Sequence, residues 1–274
     1  MTEQRAVSFA CAGHWLYGVL DVPHTPHKRG VLVVVGGPQY RAGSHRQFTL
    51  LSRSLAAQGI AAMRFDYRGM GDSEGAMRDF ETVGEDLKAA LDKFFAEVPG
   101  MTEVVLWGLC DAASAAALYA AGDARVTGLA LLNPWVRTEA GAAKATLRHY
   151  YRARLLDRQL WKKIFTLRFD YGAAAGSFKR LLGSAARPAP SGALPDRMHL
   201  GLGQFSGKLL VMLSGADLTA QEFSDLASAS PKWRTLLGAP RVTRHALPGA
   251  DHTCSRRAWH DQVAQWTAAW VRSW

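Results

Sequence analysis

The stretch Val104-Val-Leu-Trp-Gly-Leu-Cys-Asp-Ala-Ala113 says more about the fold than any other part of this 274-residue chain. Its first four residues are apolar and bulky, as in a strand buried on both faces. From Asp111 to Ala121 alanine dominates, which reads as helix. Between the two lies Gly108-Leu109-Cys110-Asp111-Ala112, a small-x-nucleophile-x-small turn with cysteine where serine is usual. The small residues answer a steric demand, because bulk two positions either side of a strained turn would clash. The helix that opens after Cys110 aims its positive end at the thiol.

The same strand-then-helix rhythm extends on both sides. Ala6 to Val22, around Gly13 and Gly18, suggests a hairpin. Val31-Leu-Val-Val-Val35 is a β-branched run closed by Gly36-Gly37-Pro38, and Phe48 to Gly59 has helical spacing with a glycine stop. Ala61 to Phe65 reads as strand, Phe80 to Phe95 as helix, and Val126 to Leu132 as strand ending at Asn133-Pro134. The alternation predicts an α/β chain with a doubly wound, mostly parallel sheet. It breaks after Pro134. Thr138 to Leu182 reads as helix without a strand, and Gly183 to Gly203 as a Pro/Gly/Ser-rich linker. It resumes with Leu209 to Leu213, a helix near Gln221, Arg241 to Leu247, and a helix from Trp259 to Trp274. The expected organisation is a core of residues 1–135 and 206–274 with an inserted helical lid at 136–205.

Around the elbow the chain resembles the α/β-hydrolase family over nearly its whole length. Phe65-Asp66-Tyr67-Arg68-Gly69-Met70-Gly71-Asp72-Ser73 looks like that family's turn before the elbow strand, and Gly36-Gly37-Pro38-Gln39 takes the place of its oxyanion loop. More narrowly, Gly36 to Phe48 together with Gly108-Leu-Cys-Asp111 resembles the exosortase A system-associated hydrolases of type 1, bacterial proteins encoded with exopolysaccharide and protein-sorting loci. The resemblance implies an α/β-hydrolase fold and an enzyme that cleaves or transfers ester or thioester groups.

Family order places an acid and then a histidine after the nucleophile. Asp217, at the end of Leu213-Ser-Gly-Ala-Asp217, and His252, in Pro248-Gly-Ala-Asp-His252, fit those places. The resemblance therefore implies Cys110 as nucleophile, His252 as base and Asp217 as orienting acid. An imidazole takes the thiol proton and returns it to the leaving group while a carboxylate fixes its tautomer. Asp225 and Asp251 are the reserve acids, and His45 and His245 the reserve histidines. The oxyanion hole draws on the backbone N–H of Asp111 and one from Gly37 or Gln39; Pro38 has none to give. The Asp111 carboxylate is expected to face away from the thiol, since a negative charge there opposes thiolate formation.

The net charge of +10 is localised. Residues 136–205 hold thirteen Lys/Arg against four Asp/Glu, nearly the whole excess. Leu147, Tyr151, Leu155, Ile164 and their neighbours recur at helical spacing between those cations, an amphipathic basic face. Such a field concentrates anions. The partners expected are a small-molecule or carrier-bound acyl substrate, anionic in part, with peripheral membrane contact through the lid as a further use and no nucleic acid. The rival function is a non-catalytic binding protein of the same fold that holds an anionic partner on that face. Composition, at 48% hydrophobic and 20% charged, excludes disorder, collagen-like repeats and a disulfide scaffold. Three cysteines without a CxxC read as reduced thiols. Met1 to Ala10 lacks the apolar core of a signal peptide, so a cytoplasmic location is expected. No metal cluster or dinucleotide fingerprint is visible, and no cofactor is expected.

Overall fold

The computed structural model describes residues 2–37, 39–136 and 192–274. Eight strands form one sheet in the order β1-β2-β4-β3-β5-β6-β7-β8. They are β1 (Thr2–Cys11), β2 (His14–Pro23), β3 (Arg29–Val34), β4 (Ala62–Asp66), β5 (Glu103–Leu109), β6 (Val126–Leu132), β7 (Lys208–Ser214) and β8 (Val242–Leu247). The β1–β2 hairpin pairs antiparallel, as does β2 with β4; every other pairing is parallel. Parallel strands must be covered on both faces, which is why the central strands are largely apolar and buried along nearly their whole length.

The two faces collect different helices. Alternation along β3 sends Val31, Val33 and Val35 to one face, where Phe48, Leu51 and Leu55 of α1 (Gln47–Ala57) and Val263, Ala264 and Ala268 of the C-terminal helix pack. Leu32 and Val34 face the opposite layer. That layer is built by α2 (Gly84–Glu97), α3 (Asp111–Tyr119), α4 (Leu194–Gln204), α5 (Leu218–Ala229) and α6 (Pro231–Leu237). The C-terminal helix is α7 (Arg257–Arg272). Because α3 is mostly alanine and buried, its axis lies close to the sheet, which holds the turn that precedes it.

One buried latch ties the sheet to the last helix. The Arg29 guanidinium pairs with Glu103, donates to the carbonyls of Val271 and Trp274 at 2.7 Å each, and lies 3.5 Å over the Trp274 ring.

Three features differ from the sequence expectation. The stretch read as a linker from Gly183 to Gly203 contains helix α4 from Leu194 onward. Pro195 fits its first turn, where no N–H partner is needed, and Met198 and Leu202, four apart, bury one stripe on the core. Composition alone hid that stripe among glycines. Helix α2 starts at Gly84 rather than Phe80, because Asp79 and Thr82 close a hydrogen-bonded turn ahead of it. The region near Gln221 holds two helices, α5 and α6, separated at Ser230-Pro231. Residues 137–191, most of the expected basic lid at 136–205 including the helical stretch Thr138 to Leu182, lie outside the described residues.

Candidate active site

The site lies at the carboxyl ends of β5, β7 and β8. Cys110 leaves β5 with φ 61° and ψ −123°, a conformation that costs a non-glycine residue about 1–3 kcal/mol. Its backbone is held from several sides. The Cys110 N–H donates to the Leu132 carbonyl at 2.9 Å, and its own carbonyl accepts from Ala113, Ser114 and Trp135. A Cβ on Gly108 would meet the carbonyl carbon of Ala112 at 2.5 Å and the N of Ala113 at 2.6 Å. Strand and helix thus approach so closely that position 108 takes only glycine. The thiol itself is half-buried and free of any disulfide.

Asp217 ends the β7 loop as the N-cap of α5. Its carboxylate accepts from the N–H groups of Thr219 and Ala220 at 3.3 and 3.1 Å, and lies 3.0 Å from Nδ1 of His252. One buried side chain therefore caps a helix and orients the imidazole. The Cys110 thiol also favours the protonated imidazole. The hydrogen bond to Asp217 and then the interaction with Cys110 outweigh burial and push the His252 pKa up to about 10.

That shift sets a sign for stability against pH. The folded pKa lies above the unfolded value, so the stabilisation is complete below about pH 6.5 and is lost as pH rises through about 10. Against His252→Gln, which shares the other titrating groups, the wild-type advantage in urea midpoint should therefore be largest on the acid side of that window and close on the alkaline side. A constant gap would contradict the assignment.

The reserve residues lie elsewhere. Asp251 turns its carboxylate to the N–H and hydroxyl of Ser255. Asp225 sits two turns further along α5. His245 stacks on Trp266 with ring centroids 4.3 Å apart. His45 and Arg46 form a left-handed pair before α1, with His45 within electrostatic reach of Asp251.

The oxyanion-hole residues come together in an unexpected state. The Asp111 carboxylate does not face away from the site. Its Oδ2 accepts from the Gly37 N–H at 2.9 Å and its Oδ1 from the Ala112 N–H at 2.9 Å. The Gln39 N–H is spent on the Gly37 carbonyl at 2.8 Å. A carboxylate at a helix start gathers N–H donors, an attraction that the outward-facing expectation left out. Burial raises the Asp111 pKa, with the hydrogen bonds from Gly37 and Ala112 opposing the rise.

Sequence reasoning missed Asn133. Its side-chain amide donates to Ser214 Oγ at 3.0 Å and to the His252 carbonyl at 3.1 Å, while its oxygen accepts from the Ser214 N–H at 2.8 Å. It thereby braces the ends of β6 and β7 and the histidine loop. The available signal was Asn-Pro after a strand, since asparagine tolerates the positive φ of 48° found there.

Residues 26–167, just over half the chain, match the family described as serine aminopeptidase, S33. The chain belongs to this family of α/β-hydrolases. No curated protein matches the sequence significantly. The fold is similar to the Pyrococcus furiosus esterase Pf2001, with a TM-score of 0.67 and 13% identity over 99% of this chain and 93% of that one. It is also similar to an esterase domain from a Rhodothermus marinus protein, at TM-score 0.61 and 20% identity over 98% of each chain. A proline iminopeptidase from Mycobacterium smegmatis gives 0.60 and 16% identity over 97% of each. These likenesses establish the α/β-hydrolase fold. Where the S33 family name specifies serine, this S33 chain presents Cys110. Among its described residues no helix is long and apolar enough to cross a membrane.

Proposed function

We propose that the chain hydrolyses or transfers ester or thioester acyl groups, with Cys110 as nucleophile, His252 as proton carrier and Asp217 as its orienting acid. The observation that carries this reading is the pairing of His252 with Asp217 at 3.0 Å, together with Cys110 on its strained elbow. Sγ of Cys110 bonds to the acyl carbon, and the carbonyl electron pair moves onto oxygen. Collapse breaks the bond to the alcohol or thiol, which leaves with the proton from His252. His252 then deprotonates water or an acceptor alcohol, which attacks the acyl-cysteine and frees the thiol. A thiolate is also a good leaving group, so labile esters, thioesters and acyl transfer suit it better than robust lipid esters.

Resemblance of Gly36 to Phe48 and the elbow to the exosortase-associated hydrolases supports a cytoplasmic role in exopolysaccharide-linked acyl chemistry. The excess cations of residues 136–205 suit an anionic acyl substrate or carrier. Incubation with short p-nitrophenyl esters and acyl thioesters, followed by intact mass, tests the reading. An acyl adduct is expected in the wild type and none in Cys110→Ala. An adduct that survives in the variant, or none in either folded protein, favours the non-catalytic binding protein instead.

A further inference from the structure

We propose that Asp111 gates acyl transfer: its carboxylate is an internal occupant of the oxyanion hole, and a substrate reacts only when its carbonyl oxygen takes that place. The inference rests on the acyl-transfer reading above and adds a specificity-determining residue to it. Both loop N–H groups put forward as the second oxyanion donor are already committed. Gly37 N–H donates to the Asp111 carboxylate, and Gln39 N–H donates to the Gly37 carbonyl.

The loop is shaped around this anion. A Cβ on Gly36 would lie 2.1 Å from Asp111 Oδ1, so the glycine clears the space the carboxylate fills. Tyr67 places its hydroxyl 3.5 Å from the Gly37 carbonyl; burial and then the charge of Asp111 push its pKa up to about 12. Pocket, donors and occupant are therefore a matched set, joined across 74 residues of sequence.

A neutral ground-state carbonyl is a weaker acceptor than a carboxylate and does not displace it on hydrogen bonding alone. Only an acyl group that is strongly activated, or anchored elsewhere, develops enough negative charge in the hole to compete. Asp111 therefore discriminates against unanchored esters, which find the donors taken. Oxyanion donors are worth about 10²–10³-fold in rate when available, so clearing the hole recovers part of that factor.

The test separates oxyanion chemistry from thiol reactivity. Acylation by p-nitrophenyl acetate builds a tetrahedral oxyanion, whereas alkylation by iodoacetamide displaces iodide at a saturated carbon and builds none. Both rates are measured by intact mass for the wild type, Asp111→Ala and Asp111→Asn. The asparagine keeps the shape and guards against loss of fold. Both variants are expected to acylate at least about ten-fold faster than the wild type, with alkylation unchanged within about two-fold. Wild-type acylation as fast as that of the variants overturns the gate while leaving acyl transfer intact. A parallel rise in both reactions also overturns it, because Asp111 then acts on the thiol. Ready alkylation without acylation in any of the three proteins overturns both the gate and the acyl-transfer reading.

Discussion

Asp217→Asn should lower the rate of Cys110 acylation about a thousand-fold and lose the stabilisation that the charged His252 draws from the carboxylate, while keeping the cap on α5. The amide oxygen can still accept from the N–H groups of Thr219 and Ala220, so the cap on α5 survives. What it cannot do is hold the proton on Nδ1 of His252, 3.0 Å away; an amide N–H there forces the other tautomer, and the imidazole loses the carboxylate that supports its charge. Asp217→Ala should show the same rate loss and, relative to Asp217→Asn, a further stability cost of about 1 kcal/mol from the missing cap. Stopped-flow acylation and urea midpoints on both variants read the two roles separately. Equal acylation in Asp217→Asn and wild type would remove Asp217 from the catalytic assembly.

Gly108→Ala should be among the most damaging single methyls in the described core. The added carbon would sit 2.5–2.6 Å from the backbone of Ala112 and Ala113. No side-chain rotation relieves that clash, because every atom it meets belongs to the first turn of α3. Either α3 moves off the sheet or β5 shifts in register, and both displace Cys110. The expected cost is about 3 kcal/mol or more, at the upper end for overpacking. It should appear as a lowered urea midpoint and a lost acyl adduct. A variant with wild-type stability would show that the elbow is looser than its geometry implies.

The sheet was legible because its strands obey simple rules. Val31 to Val35 and Val104 to Trp107 are buried on both faces, and continuous apolar runs announce that. The elbow was legible because a steric demand leaves glycine and alanine at fixed offsets from Cys110. Asp217 and His252 followed from chain order in a resembled family, and the structure brings their side chains together. The direction of Asp111 was not legible. It depends on how a loop 74 residues earlier presents an N–H, which no local pattern encodes. Gly36 read as an ordinary strand-ending glycine until the carboxylate filling its missing side chain came into view. Asn133 escaped for the same reason, since its partners lie on β7 and the histidine loop, 81 and 119 residues away.

The strand order has a consequence for how the chain emerges from the ribosome. Cys110 ends a strand paired on one side with β3 and on the other with β6, both available early in synthesis. Its acid and base hang from β7 and from the loop after β8, the last strands to join that edge. More than a hundred residues separate the thiol from its histidine. A nascent chain thus carries the nucleophile long before anything can take its proton. The proposed acyl chemistry therefore waits until β7, β8 and the His252 loop have joined the sheet.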